Sequence, residues 1–189
     1  RVVLVDLHSE GIAHYFSGEV RPIHVHARRL ILEEIRRVGG GDFVLGATDA
    51  GRAKWVESLA NDLGVEAAFI FKRRLNDGRT QVSALAADVR GRAVVIYDDL
   101  IRTGGSLIGA AKAYLDAGAT SATAVATHGV LPGDSLRRIR ESGLLSMVVC
   151  TDSHPRAVEL AEEPGFRVVS IAGLLADFLA GRPTASLPD

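Results

Sequence analysis

The sequence predicts an α/β fold in which a mostly parallel sheet carries helices on both of its faces. Short apolar, β-branched runs alternate with longer amphipathic stretches, which is the pattern of βα units. Most of these runs are apolar at every position, as expected for strands that helices cover on both sides. Hydrophobic residues make up 47% of the 189 residues, enough to bury a substantial core.

The strand candidates are the apolar runs of this alternation. They are residues 2–7, 43–48, 67–71, 93–97, 121–127, 147–151 and 167–171.

The helix candidates have apolar residues at helical spacing. In residues 106–117, for example, Leu107, Ala111 and Tyr114 fall on one face, and Gly118 follows as a stop. The other patterns cover residues 25–38, 52–63, 134–141 and 171–179.

Charge and cysteine content exclude several classes of protein. The formal net charge of −1 provides no basic field for wrapping nucleic acid. No apolar run approaches the roughly 20 residues that span a bilayer, so we expect no membrane association. The single cysteine, Cys150, lies in an apolar run and is expected in the core of a cytoplasmic protein.

Two adjacent carboxylates give the strongest functional signal. Asp98 and Asp99 follow an apolar strand candidate, at the end where ligands bind in open parallel sheets. Because two neighbouring negative charges repel, a stability-driven sequence would avoid them. We therefore expect a cation or a group rich in hydroxyls beside this acidic pair (Asp98 and Asp99).

A glycine loop (residues 103–106) connects the acidic pair to the next helix. Its two glycines allow a ligand to approach the backbone, and the first helical turn offers N–H groups to an anion. Thr103 and Ser106 add hydroxyl donors, so the pair and the loop together predict a pentose-phosphate site. The alternative is a plain connection in which Ser106 caps the helix, but capping does not explain the carboxylates. A P-loop is excluded, because no Gly-Lys-Ser/Thr sequence is present.

Residues 72–79 interrupt the alternation of strands and helices. The segment begins Lys72-Arg73-Arg74, has four cationic residues in eight and has no apolar face. We therefore predict an exposed, mobile loop. It is either a solvated basic turn or a lid that closes over phosphates.

Residues 94–106 resemble the ribose-phosphate-binding motif of type I phosphoribosyltransferases, which implies that fold. Further segments narrow the resemblance to the ribose-phosphate pyrophosphokinases. Residues 118–120 with 126–130 resemble the GA…THG segment of that family, residues 5–8 its DLH segment, residues 47–53 its PDxGxxKR-like segment and residues 72–74 its catalytic-loop cluster. One position departs from the family pattern DDxxDTGGT: Arg102 stands where aspartate is usual. Its guanidinium could add a phosphate contact, or the change could remove a carboxylate that touches the ribose.

The resemblance implies synthesis of phosphoribosyl pyrophosphate and AMP from ATP and ribose 5-phosphate with Mg²⁺. It implies catalytic roles for Lys72 and Arg74, nucleotide contacts by His8 and Arg74, and magnesium contacts by His8 and Asp49. Asp49 offers the oxygen ligand that magnesium prefers, whereas His128 is expected only to hold its loop. The ribose 5-phosphate residues implied are Asp98, Asp99, Arg102, Thr103, Gly104, Gly105 and Ser106.

Two other functions also fit these motifs. A free-standing type I phosphoribosyltransferase would use the same sugar-phosphate site, and a non-catalytic regulatory relative would keep only the fold. The domain organisation expected is one phosphoribosyltransferase-like domain over residues 1–180 and a polar tail over 181–189. We expect residues 1–25 to be a link to, or a remnant of, an N-terminal domain, so that this chain is part of a larger enzyme. The resemblance also implies that this enzyme is a homo-oligomer.

Overall fold

The computed structural model describes residues 1–16, 18–74 and 80–183. Its strands, in chain order, are β1 (Val2–Val5), β2 (Pro22–Val25), β3 (Phe43–Ala47), β4 (Glu66–Arg74), β5 (Thr80–Ala86), β6 (Ala93–Ile101), β7 (Ser121–Gly129), β8 (Met147–Thr151) and β9 (Phe166–Val169).

The helices of the same ranges are α1 (Arg28–Gly39), α2 (Ala53–Leu63), α3 (Gly105–Asp116), α4 (Ser135–Glu141), α5 (Pro155–Glu159) and α6 (Ala172–Leu179), with 3-10 helices at Glu10–Tyr15 and Ala50–Arg52. Within these described ranges, no helix has the length and apolar character needed to cross a membrane.

Seven of the nine described strands form one sheet in the order β5-β4-β3-β6-β7-β8-β9. All pairs of adjacent strands in this sheet are parallel except β4 and β5, which form an antiparallel hairpin at one edge. Because α1 and α2 pack on one face and α3, α4 and α5 on the other, the predicted fold class is confirmed. Each face has its own apolar core, and Cys150 lies in one of them at 1% exposure, as predicted.

The strand order reverses direction between β3 and β6. From β3 the chain passes through α2 to β4 on one side, and from β6 it passes through α3 to β7 on the other. In open α/β sheets, a crevice for ligands lies at such a switch point, beyond the carboxyl ends of the strands. The topology thus places the ends of β3 and β6, with their polar residues, at the mouth of one crevice.

Tyr114 fixes helix α3 against the sheet. Its ring lies over Gly46 of β3, where an added Cβ would come within 2.8 Å of the ring. The buried hydroxyl donates to the backbone oxygens of Ala47 and Ala68, at 2.8 and 3.0 Å. Because α3 begins at the glycine loop, this anchor also sets the position of that loop.

The short parallel sheet of β1 and β2 lies over the carboxyl end of β7. His128 holds it there: its Nε2 lies 3.0 Å from the backbone oxygen of Val5, and its Nδ1 lies 2.7 Å from the hydroxyl of Ser153. A structural role for His128 was expected, and these contacts bring the residues that follow β1 to the switch point.

The prediction that residues 72–74 lie in a loop was wrong. We expected an exposed loop over residues 72–79, but β4 continues to Arg74 and pairs with β5 through Lys72↔Val82 and Arg74↔Thr80. β4 pairs with β3 only as far as Ala68, and beyond that point its backbone hydrogen bonds are made to β5. Residues 72–74 therefore form a strand although they have no apolar face. The rest of the predicted loop, residues 75–79, lies outside the described residues, as do residues 184–189 of the predicted tail.

Other boundaries also differ from the sequence-based predictions. β2 and β5 were not predicted, and the helix expected from residue 25 begins at Arg28. β6 continues past the predicted end at residue 97 to Ile101, because its last residues pair with β7. The acidic pair therefore lies within a strand and not on a loop.

Candidate active site

The acidic pair lies at the switch point, near the carboxyl end of β6. Asp99 is buried, with its side chain 5% exposed, and the Asp98 side chain is 17% exposed. Asp98 accepts hydrogen bonds from the backbone N–H of Asp99 (3.0 Å) and from the hydroxyl of Thr48 (3.1 Å) at the end of β3. The two strands flanking the switch point thus hold the pair jointly.

The charge of the acidic pair is only partly compensated. Burial and the neighbouring Asp99 raise the pKa of Asp98 from its ordinary 3.8 to about 6, although the Thr48 hydroxyl and the Arg52 guanidinium act in the opposite direction. A carboxyl with this pKa exchanges its proton close to neutral pH, and such perturbed groups concentrate in functional clefts.

Arg52 supplies the cation that the acidic pair requires. It ends the 3-10 helix after β3; its Nη2 donates to Asp99 Oδ2, and its Nε lies 3.9 Å from Asp98 Oδ1. Sequence reasoning expected such a cation without identifying it. A usable signal was present, because Arg52 comes three residues after Asp49, at the carboxyl end of a strand that would border β6.

His8 joins the same cluster from the short sheet. Its Nδ1 lies 3.0 Å from Asp99 Oδ2 and 2.7 Å from Nη2 of Arg52. A single ring nitrogen either donates to the carboxylate or accepts from the guanidinium, so Nδ1 of His8 makes one of these two hydrogen bonds at a time. The ring is 66% exposed and therefore accessible to a ligand.

The glycine loop forms the other wall of the site. Gly104 is the N-cap of α3 with φ +77°, in the left-handed region that favours glycine, and a Cβ there would lie 2.6 Å from Ile139. Helix α4 supports the loop from outside, since Arg138 donates to the backbone oxygen of Thr103 at 2.7 Å. No side chain caps α3, so the alternative in which Ser106 is the cap is wrong.

A cavity of about 630 Å³ (the site cavity) unites these elements. Asp49 lines it with its Oδ1 accepting from the backbone of Gly51 at 2.9 Å, and exposed Arg102 lines it from the loop that follows β6. The sequence-predicted residues that the cavity brings together are His8, Asp49, Asp98, Arg102, Thr103, Gly104, Gly105 and Ser106.

Three of the residues expected at the site stand apart from this list. Asp99 lines the adjoining cavity and reaches the site cavity through its contacts with Arg52 and His8. The backbones of Lys72 and Arg74 lie in β4. The roles expected of their side chains fall outside what the structure describes.

Comparison with known proteins agrees with this geometry. Residues 79–181 match the family model described as the phosphoribosyl synthetase-associated domain. The chain is 36% identical over 179 residues to a ribose-phosphate pyrophosphokinase of Chromobacterium violaceum, covering 95% of this chain and 54% of that protein. It is 32% identical to ribose-phosphate pyrophosphokinase A of Dictyostelium discoideum, covering 94% and 55%.

A solved structure gives the same result. The crystal structure of phosphoribosylpyrophosphate synthetase from Mycobacterium smegmatis superposes with a TM-score of 0.79 at 34% identity, covering 95% of this chain and 57% of that one. The chain thus spans about half the length of the relatives it matches. The resemblance drawn from the motifs is confirmed, and the chain belongs to the phosphoribosyl synthetase-associated domain family.

Proposed function

We propose that this chain carries the ribose-5-phosphate half of a ribose-phosphate pyrophosphokinase, which makes phosphoribosyl pyrophosphate and AMP from ATP and ribose 5-phosphate. One observation supports this most directly. Near the switch point, the acidic pair and the glycine loop lie within one connected site, with carboxylates at one side and helix N–H groups at the other. That combination suits a sugar phosphate, because its hydroxyls donate to carboxylates and its phosphate accepts from N–H groups.

At the sugar end, the glycine loop binds the 5-phosphate. The first N–H groups of a helix have no partner within the helix, and the helix dipole favours an anion there. Thr103 and Ser106 add hydroxyl donors, and Arg102 adds a guanidinium to the phosphate. The ribose hydroxyls then face Asp98 and Asp99, beside Arg52.

Magnesium is the cofactor that fits the oxygen donors of this cavity. Asp49 and Asp98 bring carboxylate oxygens to the same cavity, and magnesium prefers oxygen ligands with several retained waters. Asp49 and the acidic pair would hold it, while His8 is the less suitable ligand and contacts the nucleotide phosphates. When bound, the ion neutralises charge on the transferring phosphates.

In the reaction, the C1 hydroxyl of ribose 5-phosphate attacks the β-phosphorus of ATP, and AMP leaves. Phosphoryl groups need positioning and cations more than covalent help. Lys72 and Arg74 supply these cations from the end of the β4–β5 hairpin, and Arg74 also contacts the nucleotide. Asp98 lines the cavity beside the glycine loop and accepts the proton of the attacking hydroxyl.

A non-catalytic, regulatory relative is the second candidate, and Arg52 favours it. Its guanidinium already pairs with Asp99 and approaches Asp98, so it competes with the cation or hydroxyls that a substrate would bring. The two functions differ in one product. Incubation of the whole enzyme that contains this chain with ATP, Mg²⁺ and ribose 5-phosphate yields AMP if the chain is catalytic, whereas the regulatory relative binds the sugar phosphate without forming AMP.

Calorimetry with ribose 5-phosphate tests the sugar site directly. We expect binding by the unsubstituted chain and loss of binding in the double variant Asp98→Asn, Asp99→Asn, with the circular dichroism spectrum unchanged. Asp116→Asn, an exposed position on α3, is the matched control for a lost surface charge and should bind normally. Equal affinity in the double variant would contradict the assignment of the acidic pair to the sugar.

A further inference from the structure

A second cavity of about 310 Å³ adjoins the site cavity, and His8 and Arg52 line both. Its wall includes Asp6, which follows β1, and two histidines of the β2 segment, His24 and His26. The proposed reaction uses none of these three side chains. Their convergence therefore needs an explanation of its own.

The three side chains present potential metal ligands to one point. Their ligand atoms all lie within 4.8 Å of one another, and the two imidazole rings have centroids 3.9 Å apart, tilted by 49°. Nδ1 of His26 is 3.6 Å from Oδ1 of Asp6, too far for a hydrogen bond. Tetrahedral metal–ligand bonds of about 2.0–2.2 Å place ligand atoms roughly 3.3–3.6 Å apart, so side-chain rotations that draw the three groups together complete the set.

Asp6 is held in the way that ligating carboxylates are held. It is buried, its Oδ2 accepts from the hydroxyl of Thr127 at 2.6 Å, and its Oδ1 accepts from the backbone N–H of Ala27 at 3.0 Å. Such outer hydrogen bonds fix the direction of a metal ligand and leave further lone pairs for the ion. Its backbone is also in the left-handed region, at φ +39°, which is uncommon for a residue with a side chain.

Coordination by His24 changes an existing hydrogen bond. Nε2 of His24 accepts from the backbone N–H of Leu7 at 3.0 Å, and coordination by this ring gives up that bond. A neutral hydrogen bond contributes little net free energy beside a coordinate bond to a transition metal. The cationic Arg52 and Lys54 also line the cavity and would repel a metal ion. The negative charges of Asp99, which pairs with Arg52, and of Asp6 offset these two cations.

We propose that Asp6, His24 and His26 bind one transition-metal dication of the zinc class, at a site separate from the magnesium of the proposed reaction. Two imidazoles and one carboxylate suit Zn²⁺ or Co²⁺, whereas magnesium requires oxygen ligands. The ion joins the end of β1 to β2 and, through Thr127, to β7, and so fixes the segment that carries His8.

The experiment titrates the untagged, chelator-treated chain with Zn²⁺ by calorimetry and measures retained zinc after dialysis. We expect one equivalent of zinc per chain and no displacement by excess Mg²⁺. The double variant His24→Gln, His26→Gln should bind at least about 100-fold more weakly, and Thr127→Val, which removes one bond to Asp6, about 10-fold more weakly. His14→Gln, an exposed histidine of the first 3-10 helix, is the control and should bind unchanged.

A second measurement tests the site without substitutions, in case the double variant does not fold. In the unsubstituted chain, zinc should protect His24 and His26 from histidine-directed acylation, mapped by mass spectrometry, while His14 stays reactive. Unchanged zinc affinity in the folded double variant, equal acylation with and without zinc, or ready displacement by Mg²⁺ would overturn the proposal.

Discussion

Replacing Asp98 with asparagine should stabilise the folded chain at neutral and alkaline pH. The pKa of Asp98 is raised from 3.8 to about 6 by burial and by Asp99, so the ionised carboxylate destabilises the folded state. At 1.36 kcal/mol per pKa unit, this cost is about 3 kcal/mol above pH 6. The asparagine oxygen still accepts from Thr48 or from the N–H of Asp99, and its amide donates to the Asp99 carboxylate in place of the repulsion.

The pH dependence follows from the direction of the pKa change. Below about pH 4, Asp98 is protonated in both the folded and the unfolded chain, and the substitution changes little. Between pH 4 and 6 the folded chain holds the proton more tightly than the unfolded chain, so its stability falls as the pH rises. The advantage of the Asp98→Asn variant should therefore grow across this interval and reach about 1–3 kcal/mol above pH 6.

Urea denaturation at pH 4 to 8 measures this difference. The slope of the free energy of unfolding on urea concentration should be the same for both chains, which checks that they unfold in the same way. Asp116→Asn, an exposed position paired with Lys112, is the control and should change the free energy of unfolding by less than about 0.5 kcal/mol. A loss of stability in Asp98→Asn at pH 8, or a gain that is the same at pH 4 and pH 8, would refute the reasoning.

Three further outcomes are expected. In the whole enzyme that contains this chain, Lys72→Ala should lower kcat on the order of 100-fold with little change in KM, measured by AMP release, because a transition-state cation acts mainly on the chemical step; a change confined to KM would indicate a binding role. Tyr114→Phe should lower the free energy of unfolding by about 1–3 kcal/mol, since two buried backbone oxygens lose its hydroxyl; unchanged urea midpoints would contradict this. Gly104→Ala should cost about 1–3 kcal/mol and weaken ribose 5-phosphate binding through the clash with Ile139, whereas Gly109→Ala, in open space on the same helix, should stabilise slightly; equal effects would exclude the clash.

The candidate site could be read in part from short stretches of sequence. Asp98, Asp99 and the glycine loop lie close together along the chain, so an apolar strand followed by carboxylates and glycines is visible without the fold. Arg52 was not identified because its contact with Asp99 spans 47 residues, and the bond between Thr127 and Asp6 spans 121. Neither separation leaves a local pattern.

The sequence by itself determined the alternation of strands and helices, the parallel sheet and the character of the sugar-phosphate loop. These follow from periodicity and from the conformational freedom of glycine, which act over a few neighbouring residues. Only the tertiary structure decided that β2 pairs with β1, that β4 continues to Arg74 in a hairpin, and that Arg52 lies against the acidic pair. Each of these depends on a partner distant in sequence or on the strand order of the sheet, because backbone pairing and charge compensation are satisfied in space and not along the chain.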